Sequence, residues 1–118
     1  MGINTQTRKF PKTELNSYIC VMRVLSKRTL REFWLKHDDC ENQLLGWYKE
    51  VKLTQYQSSD EFLSAFTNCR SIGKSRFIFN ITGNKYRSEI KANFDLNTIW
   101  IRFIGTHSQY DKINALEI

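Results

Sequence analysis

The sequence has few of the residues that mark several large classes of protein. It has one proline, Pro11, and no apolar run near the ~18 residues of a membrane-spanning helix. The N-terminus lacks the apolar stretch of a secretory signal, so export is not expected. The three cysteines, Cys20, Cys40 and Cys69, are far apart and form no C-x-x-C pair. An odd count without a framework predicts reduced thiols in a cytoplasmic protein.

Motifs of metal and nucleotide chemistry are also missing. The sequence has no H-E-x-x-H, no Walker loop and no dinucleotide-binding glycine fingerprint. Glu89, Asp95 and Asp111 do not form the carboxylate cluster of a two-metal nuclease. We therefore expect no metal and no cofactor.

The composition is that of one globular domain with a distinct N-terminal segment. The chain has 118 residues, of which 41% are hydrophobic and 14% aromatic, as expected for a single modest core. Residues 1–21 are polar and aperiodic, with basic residues around Pro11. We expect a flexible extension here, because chain termini are usually loose; the alternative is a basic arm that contacts RNA. The folded domain is then 22–118.

Nearly all of the net charge of +6 lies in one segment. Residues 70–112 contain eight Lys/Arg and three Asp/Glu, whereas 22–69 contain seven of each. This concentration of positive charge predicts a phosphate-rich partner.

The first half of the domain has helical periodicity after a first strand that ends at Leu25. Ser26 is a candidate N-cap for a helix over 27–37, and a second helix is predicted over 40–53. The S-x-x-E sequence that begins at Ser58 is typical of a capping box and predicts a short third helix.

From Arg70 onward the period changes from 3.6 to 2, which predicts strands over 76–81, 85–94 and 99–104. Gly83 and Asn84 suit a two-residue hairpin turn. Thr106 to Gln109 forms another capping box, which predicts a last helix from His107 towards Ala115.

Burial determines the expected register, because a slip of one residue would move every side chain to the other face. Ile81 then pairs with Tyr86, Phe94 with Ile99, and Ile90 with Phe103. The face that the helices must cover collects the large apolar residues: Phe77, Phe79, Ile81, Ile90, Ala92, Phe94, Ile99, Ile101 and Phe103. The opposite face is polar and mostly basic: Arg76, Asn80, Arg87, Glu89, Lys91 and Arg102. Such a surface favours RNA or another polyanion over a merely solvated face.

Metal-free RNA cleavage needs a base for the 2′-OH, an acid for the 5′-oxygen and stabilisation of charge at phosphorus. His107 is a candidate for proton transfer, and Tyr110 and Asp111 follow it at i+3 and i+4 on the same helix side. Tyr110 could hold a proton or stack on a base, and Asp111 could orient His107. Arg70 and Arg87 are candidates for charge stabilisation, as are Lys85 and Arg102.

Several motifs in order resemble the HigB family of bacterial type II toxins, over Met22 to Ile118. They are Met22-Arg23-Val24-Leu25-Ser26, Leu30-Arg31-Glu32-Phe33-Trp34, Leu44-Leu45-x-Trp47-Tyr48, Arg70-Ser71, Phe79-Asn80-Ile81, Gly83-Asn84-Lys85-Tyr86-Arg87, Ile101-Arg102-Phe103 and the run from Gly105 to Ile113. The resemblance implies an α+β, RelE-like fold: a small antiparallel sheet with helices packed on one face and a short C-terminal helix. It also implies a toxin that cleaves mRNA at the translating ribosome, with a HigA-like helix-turn-helix antitoxin as partner.

The resemblance and the strand pattern together give the candidate site. The expected catalytic residues are His107, Tyr110, Arg87 and Arg70. The expected RNA-binding residues are Arg76, Asn80, Lys85, Tyr86, Lys91 and Arg102. Tyr86 is included on resemblance alone, since its register position faces the helices.

Two features depart from the family. Ser88-Glu89 stand where the family continues with aliphatic residues, and residues 1–21 have no counterpart in it. A negative charge at Glu89 on the RNA face would weaken RNA binding. Two alternatives therefore stay open: an RNA- or ribosome-binding protein or inactive toxin that acts only with its antitoxin, and a ParE-like relative that targets DNA gyrase.

Overall fold

The computed structural model describes residues 22–118. The expectation of a flexible extension at 1–21 lies outside this range. No helix within the described range is long and apolar enough to span a membrane.

Within residues 22–118 four helices form, close to the predicted positions. They are α1 (Lys27–Lys36), α2 (Glu41–Leu53), α3 (Ser59–Ala65) and α4 (His107–Tyr110), with a 3₁₀ turn over Asp38–Cys40 before α2. Ser58 caps α3 as predicted, since its hydroxyl accepts from Glu61 N at 3.2 Å. Ser26 does not cap α1 with its side chain; it has φ 71°, a left-handed conformation that aims the chain from strand into helix.

The sheet has five strands: β1 (Arg23–Leu25), β2 (Cys69–Gly73), β3 (Arg76–Ile81), β4 (Tyr86–Asn93) and β5 (Thr98–Thr106). Their spatial order is β1-β5-β4-β3-β2. β1 runs parallel to β5, and the other pairs are antiparallel. The predicted α+β class is confirmed, but the sheet is mixed and not purely antiparallel. The edge strand β2 was not among the predicted strands, because its exposed, Gly-ended sequence has little apolar alternation.

The core lies between one face of the sheet and α1, α2 and α3. Phe62 of α3 is fully buried and has ring contacts with Phe77 and Phe79 of β3. Leu30 of α1 and Leu44 of α2 are also buried in this cluster. Burial of such side chains is the main favourable term in folding, so the helices hold the sheet by one face and leave the other for the site.

The β3–β4 register agrees with the prediction: Ile81 pairs with Tyr86, and Phe77 pairs with Ile90. The predicted β4–β5 register is wrong. Ala92, and not Phe94, pairs with Ile99. These residues stay on the core face, because a shift of two residues preserves the side-chain alternation.

A β-bulge in β5 overturns the prediction for Phe103. Ile90 pairs with Ile101 but Glu89 pairs with Phe103, so Arg102 is an extra residue on β5. An extra residue reverses the alternation beyond it. Phe103 therefore lies on the polar face, and Ile104 packs against the core in its place.

Candidate active site

The end of β5 and the start of β4 bring the central candidates together. Gly105 pairs with Arg87, and Thr106 pairs with Tyr86. His107 follows directly, and its backbone N–H donates to Lys85 O at 3.3 Å. The β3–β4 hairpin and α4 are thereby joined where His107, Tyr110 and Arg87 lie.

His107 is held by the predicted capping box. Thr106 Oγ1 accepts from Gln109 N at 3.2 Å, and Gln109 Oε1 accepts from Thr106 N at 2.9 Å. The sequence predicted a helix running towards Ala115, but α4 ends at Tyr110. The contact that the i+4 spacing predicts is present, with His107 Nδ1 and Asp111 Oδ2 3.2 Å apart. The side chain of His107 is 43% exposed, so a substrate can reach it while Asp111 fixes the ring.

Gly105 lets this turn of chain pack closely. A Cβ at this position would lie 2.6 Å from Gln109 Oε1 and 2.7 Å from Phe103 Cζ. Both distances are below van der Waals contact, so any larger residue would displace the capping side chain or the ring. The glycine is therefore part of the geometry that places His107.

Arg87 lies beside Tyr110 on the polar face of the sheet. Its guanidinium carbon is 5.2 Å from the centroid of the Tyr110 ring, a cation–π distance. Arg87 Nη2 donates to Asn84 Oδ1 at 3.4 Å, and the Tyr110 ring also contacts Phe103 at 6.1 Å between centroids. The ring thus limits the directions in which the guanidinium group can point.

Asp39 anchors the hairpin from the helical side. Its carboxylate accepts from Lys85 Nζ at 2.8 Å and from Tyr86 Oη at 2.9 Å. The hydrogen bond from Lys85 lowers the pKa of Asp39 most, and the bond from Tyr86 lowers it further. The bond between Lys85 and Asp39 also raises the pKa of Lys85. Burial, together with the bond to Asp39, raises the pKa of Tyr86. Lys85 thus uses its ammonium group within the protein, and the 3%-exposed Tyr86 is a structural residue here.

Arg70 and Asn80 share the polar face with Arg87 but differ in distance from it. Asn80 pairs with Arg87 across β3 and β4. Arg70 is exposed on β2 and pairs with Ile78, two strands away from β4, which separates the backbones by ~10 Å. The structure does not bring Arg70 into contact with His107.

The middle of the polar face is closed by a buried ion pair. Arg76 Nη1 donates to Glu89 Oε2 at 3.0 Å, and the two side chains are 9% and 0% exposed. Arg76 also donates to Ile118 O, to which Arg102 Nε donates at 3.1 Å. The expectation of a negative charge at Glu89 on the RNA face is wrong, because the C-terminal segment and Arg76 enclose it. Arg76 is not exposed for RNA either.

Lys91 lies at the other end of the same face. It is exposed and pairs with Arg76 on one side and Trp100 on the other. Beside it is a cavity of about 550 Å³, which Arg102 also lines. The predicted RNA residues therefore fall into two groups, one at His107 and one at this cavity.

Sequence reasoning missed Asp39 and Trp100. Asp39 is distant from Lys85 in the chain, and only the tertiary fold brings the two together. Trp100 alternates with apolar neighbours in β5, and its position on the polar face could have been read from the pattern that placed Lys91.

Within 22–118 no group of three or more His, Cys, Asp or Glu side chains could hold a metal ion.

Comparison with known proteins agrees with this architecture. Residues 40–113 match the family model HigB_toxin, described as the RelE-like toxic component of a toxin-antitoxin system. The matched segment includes β2 to β5, α4 and every candidate site residue. The chain is also 24% identical over 94 residues to the mRNA interferase HigB of Escherichia coli O6:H1 strain CFT073, which covers 78% of this chain and 91% of that protein. The chain therefore belongs to the HigB family of RelE-like toxins of toxin-antitoxin systems.

Proposed function

We propose that this toxin is an endoribonuclease that cleaves mRNA on the translating ribosome and so inhibits translation. The observation that carries the proposal is the convergence of His107, Tyr110 and Arg87 where β5 meets the β3–β4 hairpin. The similarity to an E. coli mRNA interferase supports the same substrate. A histidine, a phenol and a guanidinium group supply the functions that RNA cleavage by its own 2′-oxygen requires.

His107 acts as the proton-transfer residue. The 2′-oxygen loses its proton and bonds to phosphorus, the bond from phosphorus to the 5′-oxygen breaks, and that oxygen takes a proton. His107 either removes the first proton or supplies the second, and Tyr110 assists at the other position or stacks on a base. Asp111, 3.2 Å from Nδ1, orients the imidazole ring, which is the usual function of a carboxylate next to a catalytic histidine. This chemistry needs no metal ion.

Arg87 stabilises the charge that develops at phosphorus, because it is the guanidinium group nearest to His107 in sheet register. Arg70 and Asn80 extend the phosphate-binding surface across β2 and β3, whereas the ammonium group of Lys85 is paired with Asp39 and positions the hairpin. We leave Arg76 and Tyr86 out of the RNA surface, because their polar groups are bound within the protein.

Membership of a toxin-antitoxin family implies an antitoxin as partner. We propose that it is a HigA-like helix-turn-helix protein, and that both proteins work in the cytoplasm, where translating ribosomes are. The burial of Glu89 weakens one of the two arguments for an inactive toxin; the other, the absence of an unmistakable acid–base pair, is addressed by the cleavage test below.

The proposal is tested by primer extension on a defined message in a reconstituted translation reaction, with and without ribosomes. New 5′ ends only with ribosomes are the expected result, and ends in both reactions would mean an autonomous ribonuclease. Transcripts that stay intact in the presence of folded protein would contradict the proposal and favour a binding-only toxin. If expression in cells also induced DNA damage signalling, a gyrase-directed toxin would be favoured.

Two variants separate catalysis from folding. His107→Ala and Arg87→Ala should each abolish growth arrest, because each removes a group needed in the transition state. The His107 side chain is 43% exposed and Arg87 is half-buried outside the core, so circular dichroism and thermal unfolding should stay near the parent. Lys49→Ala, on the helical side of the sheet, is the control and should stay toxic. Full toxicity of both site variants would rule out this assignment.

A further inference from the structure

The cavity beside Lys91 is a second polar site, at the end of the sheet where the polar face meets the loops. Its volume is about 550 Å³, and it lies between the ends of β3, β4 and β5. Lys91 is four residues along β4 from Arg87, which corresponds to ~13 Å. That distance is about four times the ~3.4 Å rise per nucleotide of a stacked strand, so the cavity and the cleavage site contact different nucleotides.

Trp100 gives the cavity an aromatic wall. It is partly exposed, unlike Trp34 and Trp47, which are 6% and 9% exposed in the core. Part of its ring therefore remains open to a ligand on the polar face. Its plane is suited to stacking on a base, an interaction that tolerates any base because every base has a π-face.

The polar groups around Trp100 match the rest of a nucleotide. Lys91 and Arg102 are exposed cations that line the cavity and can contact phosphate. Asn93 Oδ1 accepts from Leu96 N at 3.0 Å, so the group that it can offer to a base edge is its amide donor. The carboxylate of Asp95 can accept from the amino group of a base.

The charge balance favours a polyanion as the occupant. Arg76 also lines the cavity, but Glu89 neutralises it through the buried pair. Lys91 and Arg102 remain against Asp95, a surplus of positive charge at the wall that faces solvent. Together with the partly exposed indole, this surplus is the pattern of a site for single-stranded nucleic acid.

We propose that this cavity is a nucleotide subsite, in which a base stacks on Trp100 and its phosphate contacts Lys91 and Arg102. The proposal rests on the proposed function, because the bound nucleotide belongs to the same RNA strand that is cut at His107. The subsite sets the strand's direction across the sheet, so RNA long enough to reach it binds more tightly than RNA that covers His107 alone.

The test measures binding to fluorescently labelled RNA that is 2′-O-methylated throughout, so that no cleavage interferes. Oligonucleotides of about three and about eight nucleotides are compared by anisotropy over a range of salt concentrations. Trp100→Ala should weaken binding of the longer RNA roughly 5- to 100-fold, the range for loss of one stacked base. Trp100→Phe should retain most of the affinity. Neither change should alter binding of the short RNA.

Lys91→Gln provides a test at an exposed position that does not threaten the fold. It should reduce the slope of log K against log salt by about 0.7 for the longer RNA, the value for one phosphate contact on a single strand. Lys49→Gln, which removes the same charge on α2, should leave the slope unchanged.

Equal affinities of the parent, Trp100→Ala and Lys91→Gln for the longer RNA would overturn the inference, as would a parent that does not bind this RNA. The cleavage reaction reports separately on the proposed function. A parent that binds through the cavity but cuts no message would contradict the cleavage proposal alone. A parent that cuts normally, with both variants unimpaired in binding, would contradict the subsite alone.

Discussion

The buried pair of Arg76 and Glu89 gives the sharpest prediction about stability. Their charged atoms are 3.0 Å apart, which corresponds to a gross attraction of about 5–6 kcal/mol at an effective dielectric constant near 20. The desolvation of two ions costs several kcal/mol each, so the intact pair contributes little net stability. Arg76→Ala instead leaves a carboxylate buried without its partner and should cost about 3–5 kcal/mol, a large part of the ~5–15 kcal/mol that stabilises a domain.

The cost should depend on pH in a defined direction. Burial raises the pKa of Glu89, and Arg76 opposes that rise, so loss of Arg76 raises the pKa further. A carboxyl group with a folded-state pKa above its unfolded value contributes stability below the unfolded pKa and loses it as the pH rises through the folded pKa. The deficit of Arg76→Ala should therefore be larger near ~pH 8 than near ~pH 5, with a slope of at most ~1.4 kcal/mol per pH unit.

Urea unfolding at the two pH values measures this effect. The double variant Arg76→Met with Glu89→Leu should recover most of the lost stability, because it leaves no buried charge. Arg28→Ala is the control: Arg28 and Glu32 form a pair whose side chains are 85% and 66% exposed, and its loss should cost less than about 1 kcal/mol. A cost below ~1 kcal/mol for Arg76→Ala at both pH values would refute the reasoning, because it would mean that Glu89 is hydrated or neutral in the folded protein.

Three further predictions concern the site. Asp39→Asn should lower cleavage, because Lys85 and the hairpin are then held less firmly. In the parent, the hydrogen bonds that Asp39 accepts should weaken as the pH falls below the usual pKa of an aspartate, since the folded-state pKa of Asp39 is lowered. A pH profile of cleavage for both proteins checks this. Gly105→Ala should reduce cleavage strongly by displacing the side chain of Gln109, which caps α4. The control is Gly46→Ala in α2, where a Cβ meets nothing within 4 Å. This variant should keep its activity and gain about 0.5–1 kcal/mol of stability in thermal unfolding. Tyr110→Phe should keep the ring beside Arg87 while removing the hydroxyl. Loss of cleavage in this variant would indicate a role for the hydroxyl, and retained cleavage would indicate stacking.

The sequence was sufficient to predict the features that depend on local pattern. Apolar alternation placed β3 and β4 in register, because this register puts Phe77, Phe79, Ile81 and Ile90 on a single face. The capping patterns that begin at Ser58 and Thr106 located the starts of α3 and α4, since a hydroxyl at the N-cap accepts from a first-turn N–H group. The full capping box forms only at Thr106 among these two.

Features that depend on distant parts of the chain could not be predicted in the same way. The bulge at Arg102 reverses the face of Phe103, and nothing in the alternation of β5 marks it. Glu89 occupies a strand position whose face was correctly assigned, but its burial depends on the return of the C-terminal segment to Arg76 and Arg102. Periodicity gives the face of a sheet on which a residue lies; it does not give what covers that face.

The buried pair also divides the polar face into two parts with different physical requirements. At one end His107 and Arg87 are held by a capping box, a close glycine and an aromatic ring, which is the preorganisation that transition-state stabilisation needs. At the other end Lys91 and Trp100 face solvent with fewer restraints, which suits contact with a flexible strand. Arg76 and Glu89 lie between them as a neutral, closed surface, so a substitution at one end should alter cleavage or binding without altering both. The cleavage assay measures the effect of a substitution at the His107 end, and RNA binding measures its effect at the Lys91 end.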